Sequence, residues 1–282
     1  MSFHGHWFQW KPNRANMSYK LSCCVLCVLA LSCSIKEDRA GCPAWLTVVS
    51  DGHLGEDCEN GVLLVNVKSE KNGYNERSSI AQEPFLGEGK VLLVPREQRI
   101  DVDVIGGIRE MELSDSLLRI IPGNDCDCIV SGSGQVKMLS EEGMLALPLN
   151  RNYARLVMTF YNGLDAPEPY LFVLSGNVDG YLLPGMEPHR GCFSFLMNTG
   201  PGNNFMARLP RQIDSSVKIE VRRKTDYGLL SEIPVGEILY SLGYDWNSSD
   251  LNDIFLVLDF ARSSIIVSVE DWVYESLFKI TI

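Results

Sequence analysis

Histidine is scarce in this sequence, basic charge is outnumbered, and no apolar run is long enough to cross a bilayer comfortably. Of four histidines in 282 residues, only His53 and His189 lie beyond residue 33. Both fall in turn-rich stretches and read as surface-loop residues. Cysteine and histidine spacing offers no zinc ligand set. Cys126 and Cys128 flank Asp127 in "IPGNDCDC". They could hold a soft metal, but with no second cluster nearby they read as two loop cysteines or one strained bridge. Catalytic signatures are missing as well. Gly132-Ser133-Gly134 lies before a strand-like segment, whereas a nucleophile elbow needs Gly-x-Ser-x-Gly between strand and helix. "GPGNNF" at 200–205 has no following helix whose N-terminus could hold an anion. Carboxylates are many, yet nothing pairs two of them for acid–base work, and "SEEG" at 140–143 reads as a solvated turn. The expectation is no enzyme, no catalytic residue, no metal and no cofactor beyond a covalent lipid.

The charge balance excludes another class. The chain carries 25 basic and 36 acidic residues, a net of −11. Lys11, Arg14 and Lys20 all precede Cys33 and no acid does, so removal of that segment leaves a net of −14. Such a surface repels phosphate backbones, and nucleic acid is not an expected partner.

What is present begins at the N-terminus. From Met17 the chain reads "MSYKLSCCVLCVLALSC". Lys20 supplies a positive start and residues 21–31 an apolar core of signal-peptide length. Residues 1–16 fit no structural pattern, and Met17 is a candidate initiator. Ala30-Leu31-Ser32-Cys33 resembles a bacterial lipobox, in which the cysteine becomes an acylated N-terminus; an ordinary signal peptide with Cys33 incidental is the alternative. Several acyl chains anchor stably where one is marginal. Lys36, Glu37 and Asp38 follow at once and look like a surface-export signal, though any solvated tether is polar. Five cysteines remain after Cys33: Cys42, Cys58, Cys126, Cys128 and Cys192. An odd number leaves at least one free or paired between chains.

The rest alternates at period two. "WLTVVS" at 45–50 is a strand. "GVLLVNV" and "KVLLVP" are fuller apolar runs, as expected for strands covered on both faces. In "IDVDVIGG", Ile100, Val102 and Val104 face one way, Asp101 and Asp103 the other. After a pause near residue 150, Ala154, Leu156, Met158 and Phe160 share one face against Arg155 and Thr159. Val217, Ile219 and Val221 oppose Lys218, Glu220 and Arg222. "DIFLVLDF" and "SIIVSVEDW" flank a hairpin-length loop at 261–263. The one convincing helix spans 235–242, after Pro234 and stopped by Gly243. An all-β chain with two sandwiches in tandem fits best: 1–32 signal peptide, 33–150 first domain with its tether, 151–282 second domain.

Four features in order are similar to the FimB-type fimbrial anchor family, the cell-bound subunits of Bacteroidales-type (type V) pili. They are Cys33, the stretch "IKEDRAGCPAWLTV", the β-rich middle with its break near 150, and the ending "NDIFLVLDFARSSIIVSVEDW". The resemblance implies two transthyretin-like, Greek-key sandwiches of seven strands each. It implies an outer-membrane, surface-exposed lipoprotein that fixes a filament to the cell and ends its growth. Ala44 stands where many relatives carry Cys, so a disulfide through that position is not implied; Cys42 pairs elsewhere or not at all. Subunits of this sort join by strand exchange, and a lipid-bound N-terminus leaves the C-terminus to join the stalk subunit. Phe278, Ile280 and Ile282 form an apolar stripe that could be donated, or could complete the chain's own last strand. A rival reading is a surface lipoprotein that binds glycans through Tyr170, Tyr181, Tyr244 and Trp246.

Overall fold

The computed structural model describes residues 42–50, 61–71, 73–161, 170–200, 203–269 and 272–277. The chain divides into two units, Met1–Cys42 and Pro43–Ile282. The second unit is all-β, two sandwiches in tandem.

The first half runs β1 (Ala44–Val49), β2 (Val62–Ser69), β3 (Asn75–Ala81), α1 (Gln82–Glu88), β4 (Lys90–Val94) and β5 (Arg99–Gly106). Then come the short β6 (Glu112–Leu113) and β7 (Leu117–Arg119), then β8 (Val130–Lys137), β9 (Glu142–Ala146) and β10 (Asn150–Arg151). Two sheets form from most of these. One has the order β4-β1-β9, the other β10-β8-β5-β2-β3. Alternation does the sorting. Leu46 and Val48 of β1, Leu63, Val65 and Val67 of β2, and Ile100, Val102 and Val104 of β5 are all buried in one cluster between the sheets. Phe85 of α1 closes it.

The second half runs β11 (Tyr153–Tyr161), β12 (Tyr170–Leu182), β13 (Glu187–Leu196), β14 (Asn204–Pro210), β15 (Lys218–Arg223), β16 (Leu229–Ile233), α2 (Val235–Ser241), β17 (Ile254–Asp259), β18 (Ser264–Val269) and β19 (Trp272–Leu277). One sheet has the order β14-β11-β17-β18-β19, the other β16-β15-β12-β7-β6 with β13 on the far side of β12. Leu156, Met158 and Phe160 meet Phe172, Leu174, Ile219 and Val221 across the interior. Edge-on ring contacts tie Phe160 to Phe172 at 5.0 Å and to Phe260 at 5.1 Å.

The strands outnumber the seven per sandwich that the resemblance implies. β10 adds a two-residue edge to β8. β6 and β7, although early in sequence, pair into the later sheet: Leu117, Leu118 and Arg119 lie against Leu182, Tyr181 and Gly180. Ile105, Leu118, Ile120, Ile129 and Val130 accordingly pack in the same cluster as residues of the second half.

Two expectations need correction. β4 is covered on one face only, since Val91 and Leu93 are exposed at the edge of the three-stranded sheet. Asp103, read as outward-facing, is fully buried, because the turn between β12 and β13 covers it and Gly185 N–H donates to its Oδ1 at 2.8 Å. The helix stands as read, one residue shorter. Gly243 follows it at φ +78°, a conformation open to glycine, which turns the chain out of the helix.

Candidate functional site at the two chain ends

Cys33, Lys36, Glu37 and Asp38 lie outside the described residues. The structure takes up the chain at Cys42, an exposed free thiol, and enters β1 two residues later. β1 is the central strand of its sheet. It pairs antiparallel with β4, Ala44 opposite Val94, and parallel with β9, Trp45 opposite Glu142. Trp45 N–H also donates to Glu141 O at 2.8 Å. The first described strand is therefore hydrogen-bonded on both sides.

The other end is built differently. β17, β18 and β19 form an antiparallel meander in which Leu258 faces Ile265 and Ile265 faces Ser276. β19 is the last strand of its sheet among the described residues. Tyr274 packs against the core, while Trp272, Val273 and Leu277 are exposed. Leu277 pairs with Ser264, so the first residue of the segment 277–282 belongs to the chain's own sheet. Phe278, Ile280 and Ile282 lie outside the described residues. Chemically, an edge strand presents backbone N–H and C=O groups that a further strand can pair with.

The other residues marked in the sequence fall as follows. Cys126 and Cys128 are buried; desolvation raises the Cys126 thiol pKa well above its ordinary value, and Cys128 Sγ faces Gly107 O at 3.8 Å. Asp127 between them accepts backbone N–H bonds from Arg109, Glu110 and Met111 at 2.7–2.9 Å, all on Oδ2. Its role is to close the loop after β5. Among the described residues, no three His, Cys, Asp or Glu side chains are grouped as metal ligands. Cys192 is an exposed free thiol, and Cys58 and His53 lie outside the described residues. His189 is no loop residue. It sits on β13 with Nδ1 2.7 Å from Asp179 Oδ1, and Arg119 Nε donates to Asp179 Oδ2 at 3.0 Å.

The four aromatic residues divide. Tyr170 packs edge-on against Phe160 and Phe260. Tyr181 is fully buried; its hydroxyl donates to Asn152 O and accepts from Arg211 N–H at 3.0 Å, and desolvation raises its pKa well above the usual value. Tyr244 and Trp246 instead form a pair, ring centroids 4.7 Å apart, in the loop after α2.

That loop is held by Arg211, which sequence reasoning passed over. Its guanidinium donates to the carbonyls of Trp246, Ser248 (2.7 Å) and Ser249 (3.1 Å), and to Asn152 Oδ1 at 3.0 Å. Burial lowers its pKa. A single arginine after a strand carries no sequence signal for this, because its acceptors lie more than thirty residues away. Asp253 is another such residue, receiving Arg151 and Arg155 together, the latter at 2.8 Å through Nε.

No family profile matches the chain, and no curated protein matches it. Solved structures do. A candidate polysaccharide-binding protein from Bacteroides thetaiotaomicron superposes with a TM-score of 0.61 at 11% identity, over 83% of this chain and 98% of that one. A candidate adhesin from Bacteroides ovatus gives 0.60 at 14%, over 86% and 97%. The fimbrial anchor protein Mfa2 from Porphyromonas gingivalis gives 0.55 at 14%, over 83% of this chain and all of that one. The chain therefore has the fold of these three proteins along nearly the whole of their length.

Proposed function

We propose that this protein is a fimbrial anchor subunit: a lipoprotein held to the outer membrane through acyl chains on Cys33, which joins a filament to the cell surface and ends its assembly. The observation that carries the reading is the fold likeness to the fimbrial anchor protein, which extends over all of that chain. The sequence adds the lipobox-like run ending at Cys33, the polar Lys36-Glu37-Asp38 and the break in the strand pattern near residue 150. The partner is a stalk subunit, joined by strand exchange at the C-terminal end. There Phe278, Ile280 and Ile282 extend the period-two pattern past the exposed edge strand β19. The role is structural rather than catalytic.

The test is Cys33→Ala in the native host, with filament protein counted on cells and in the medium. Filaments shed into the medium support the anchor. Filaments retained on the cells, with only this protein lost from the membrane, overturn it. Deleting 278–282 then separates donation from self-pairing. Detached filaments with an unchanged urea midpoint support a donated strand, and a lowered midpoint with filaments in place overturns it.

A further inference from the structure

The loop between α2 and β17 does more than close the second sandwich. Two cavities flank it. The larger, about 420 Å³, is lined by Tyr240, Tyr244 and Trp246 together with Asp214, Asp245 and Asn247. The smaller, about 180 Å³, is lined by Tyr244, Asp245, Ser248, Asn252 and Trp272, among others. Tyr244 and Asp245 line both, so the two adjoin. Four aromatic side chains thus line the two cavities on either side of the loop. The outer two are not core filler: Tyr240 is 81% exposed and Trp272 is 65% exposed. Such rings are costly to leave in water unless something covers them.

The wall between them is stiff. Arg211 gathers three carbonyls of the loop, Tyr244 hydroxyl donates to Asn252 O at 2.8 Å, and Asn247 N–H donates to Asp245 Oδ1 at 2.9 Å. A loop fixed in this way has little ordering left to lose on binding. One buried group on the larger cavity is unsatisfied. Gln212 donates Nε2 to Pro210 O at 2.7 Å, and its Oε1 has no hydrogen-bond partner among the described residues.

We propose that these two cavities together bind a neutral oligosaccharide, with sugar rings against Tyr240 and Trp246 on one side of the loop and Trp272 on the other, meeting at Tyr244. Aromatic faces suit the C–H faces of pyranose rings, and the carboxylate and amide groups between them accept and donate to hydroxyls. Neutrality follows from charge. Asp214 and Asp245 line the cavities, and no lysine or arginine is among the described residues that do. Asp214 stays ionised, its pKa held down first by the hydrogen bond from Asn177, then by Ser216 and by the nearby charge of Arg190, which is not among the lining residues. Uronic, sialylated or phosphorylated sugars meet repulsion from these carboxylates. Two adjoining cavities require an oligomer rather than a single sugar.

The experiment titrates the full-length protein with a panel of neutral oligosaccharides (gluco-, manno-, xylo-, galacto- and N-acetyllactosamine oligomers) and their uronic counterparts, read by calorimetry and tryptophan fluorescence. Expected is saturable binding of a neutral oligomer and none of its charged counterpart. Tyr240→Ala and Trp272→Ala are each expected to weaken it about tenfold, and the double variant to abolish it. Trp45→Ala, on the first sandwich, should bind as the parent does. Both site residues are exposed, so the variants should keep the parent's urea midpoint. No neutral oligomer binding at millimolar concentration overturns the proposal, as does preference for the charged panel or parent-like binding by the double variant. Cys33→Ala leaves this site intact, so the sugar site and the anchor reading fail independently.

Discussion

Two outer faces, one on each sandwich, follow opposite rules. On the three-stranded sheet of the first, Trp45, Val91, Leu93 and Met144 are all exposed, and the register puts Trp45 beside Leu93, and Thr47 beside Val91 and Met144. On the second, the corresponding positions of β15 and β16 carry a charge ladder. Lys218 Nζ lies 2.6 Å from Glu232 and 3.3 Å from Glu220, and Arg222 Nε donates to Glu220 at 2.9 Å. Both sheets bury their inner faces equally well. The contrast shows that inner faces are fixed by the core, whereas outer faces are free to vary in composition.

The two sandwiches can be unsettled most severely from inside. Tyr181→Ala removes a large buried ring together with the hydroxyl bonds to Asn152 and Arg211, and should cost the second sandwich about 4 kcal/mol, read as a lower urea midpoint. Leu46→Ala empties the equivalent interior of the first and should cost about 3 kcal/mol by the same measurement. Asp127→Ala strips the acceptor from three backbone N–H groups and should cost about 2 kcal/mol; Asp127→Asn, which keeps one oxygen, should cost less.

The outer faces come last. Glu220 has its pKa lowered by Arg222 and then Lys218, so its contribution is present above the unfolded pKa and is lost as pH falls through the folded one. Glu220→Gln should therefore cost about 0.5 kcal/mol at pH 7, discounted for its partly exposed partners, and progressively less as pH falls below the usual carboxylate range, by urea unfolding across that range. Met144→Ser on the open face should change stability by under about 0.5 kcal/mol. A larger loss would mean that the face is covered in the isolated chain.

How much of this is legible in the sequence depends on range. The inner stripes of β5, β11 and β15 can be read from alternation alone, because Ile100-Val102-Val104, Leu156-Met158-Phe160 and Val217-Ile219-Val221 each face one way. The helix at Val235 is legible from Pro234 and Gly243. What alternation cannot report is what covers the other face. Asp103 and Lys218 hold the same outward position, yet one is buried under a distant turn and the other is in water. The fully apolar look of "KVLLVP" misled for the same reason. β3, β13, β14 and β16 escape pattern reading because their residues are largely polar or mixed; their pairing comes from neighbours already in place. Of the aromatic residues, sequence marks Tyr244 and Trp246, but not Tyr240 and Trp272, which join them only in three dimensions.

β7 carries one further implication, for the order in which the molecule can be made. Its partner in the sheet, β12, is still unsynthesised when residues 117–119 emerge. The first sandwich can close around Leu46, Val65 and Val102 at once, but Leu118, Ile120 and Ile129 must wait for the later half. During synthesis the chain therefore carries one apolar segment unclaimed, and the nascent first half is the form most in need of a chaperone.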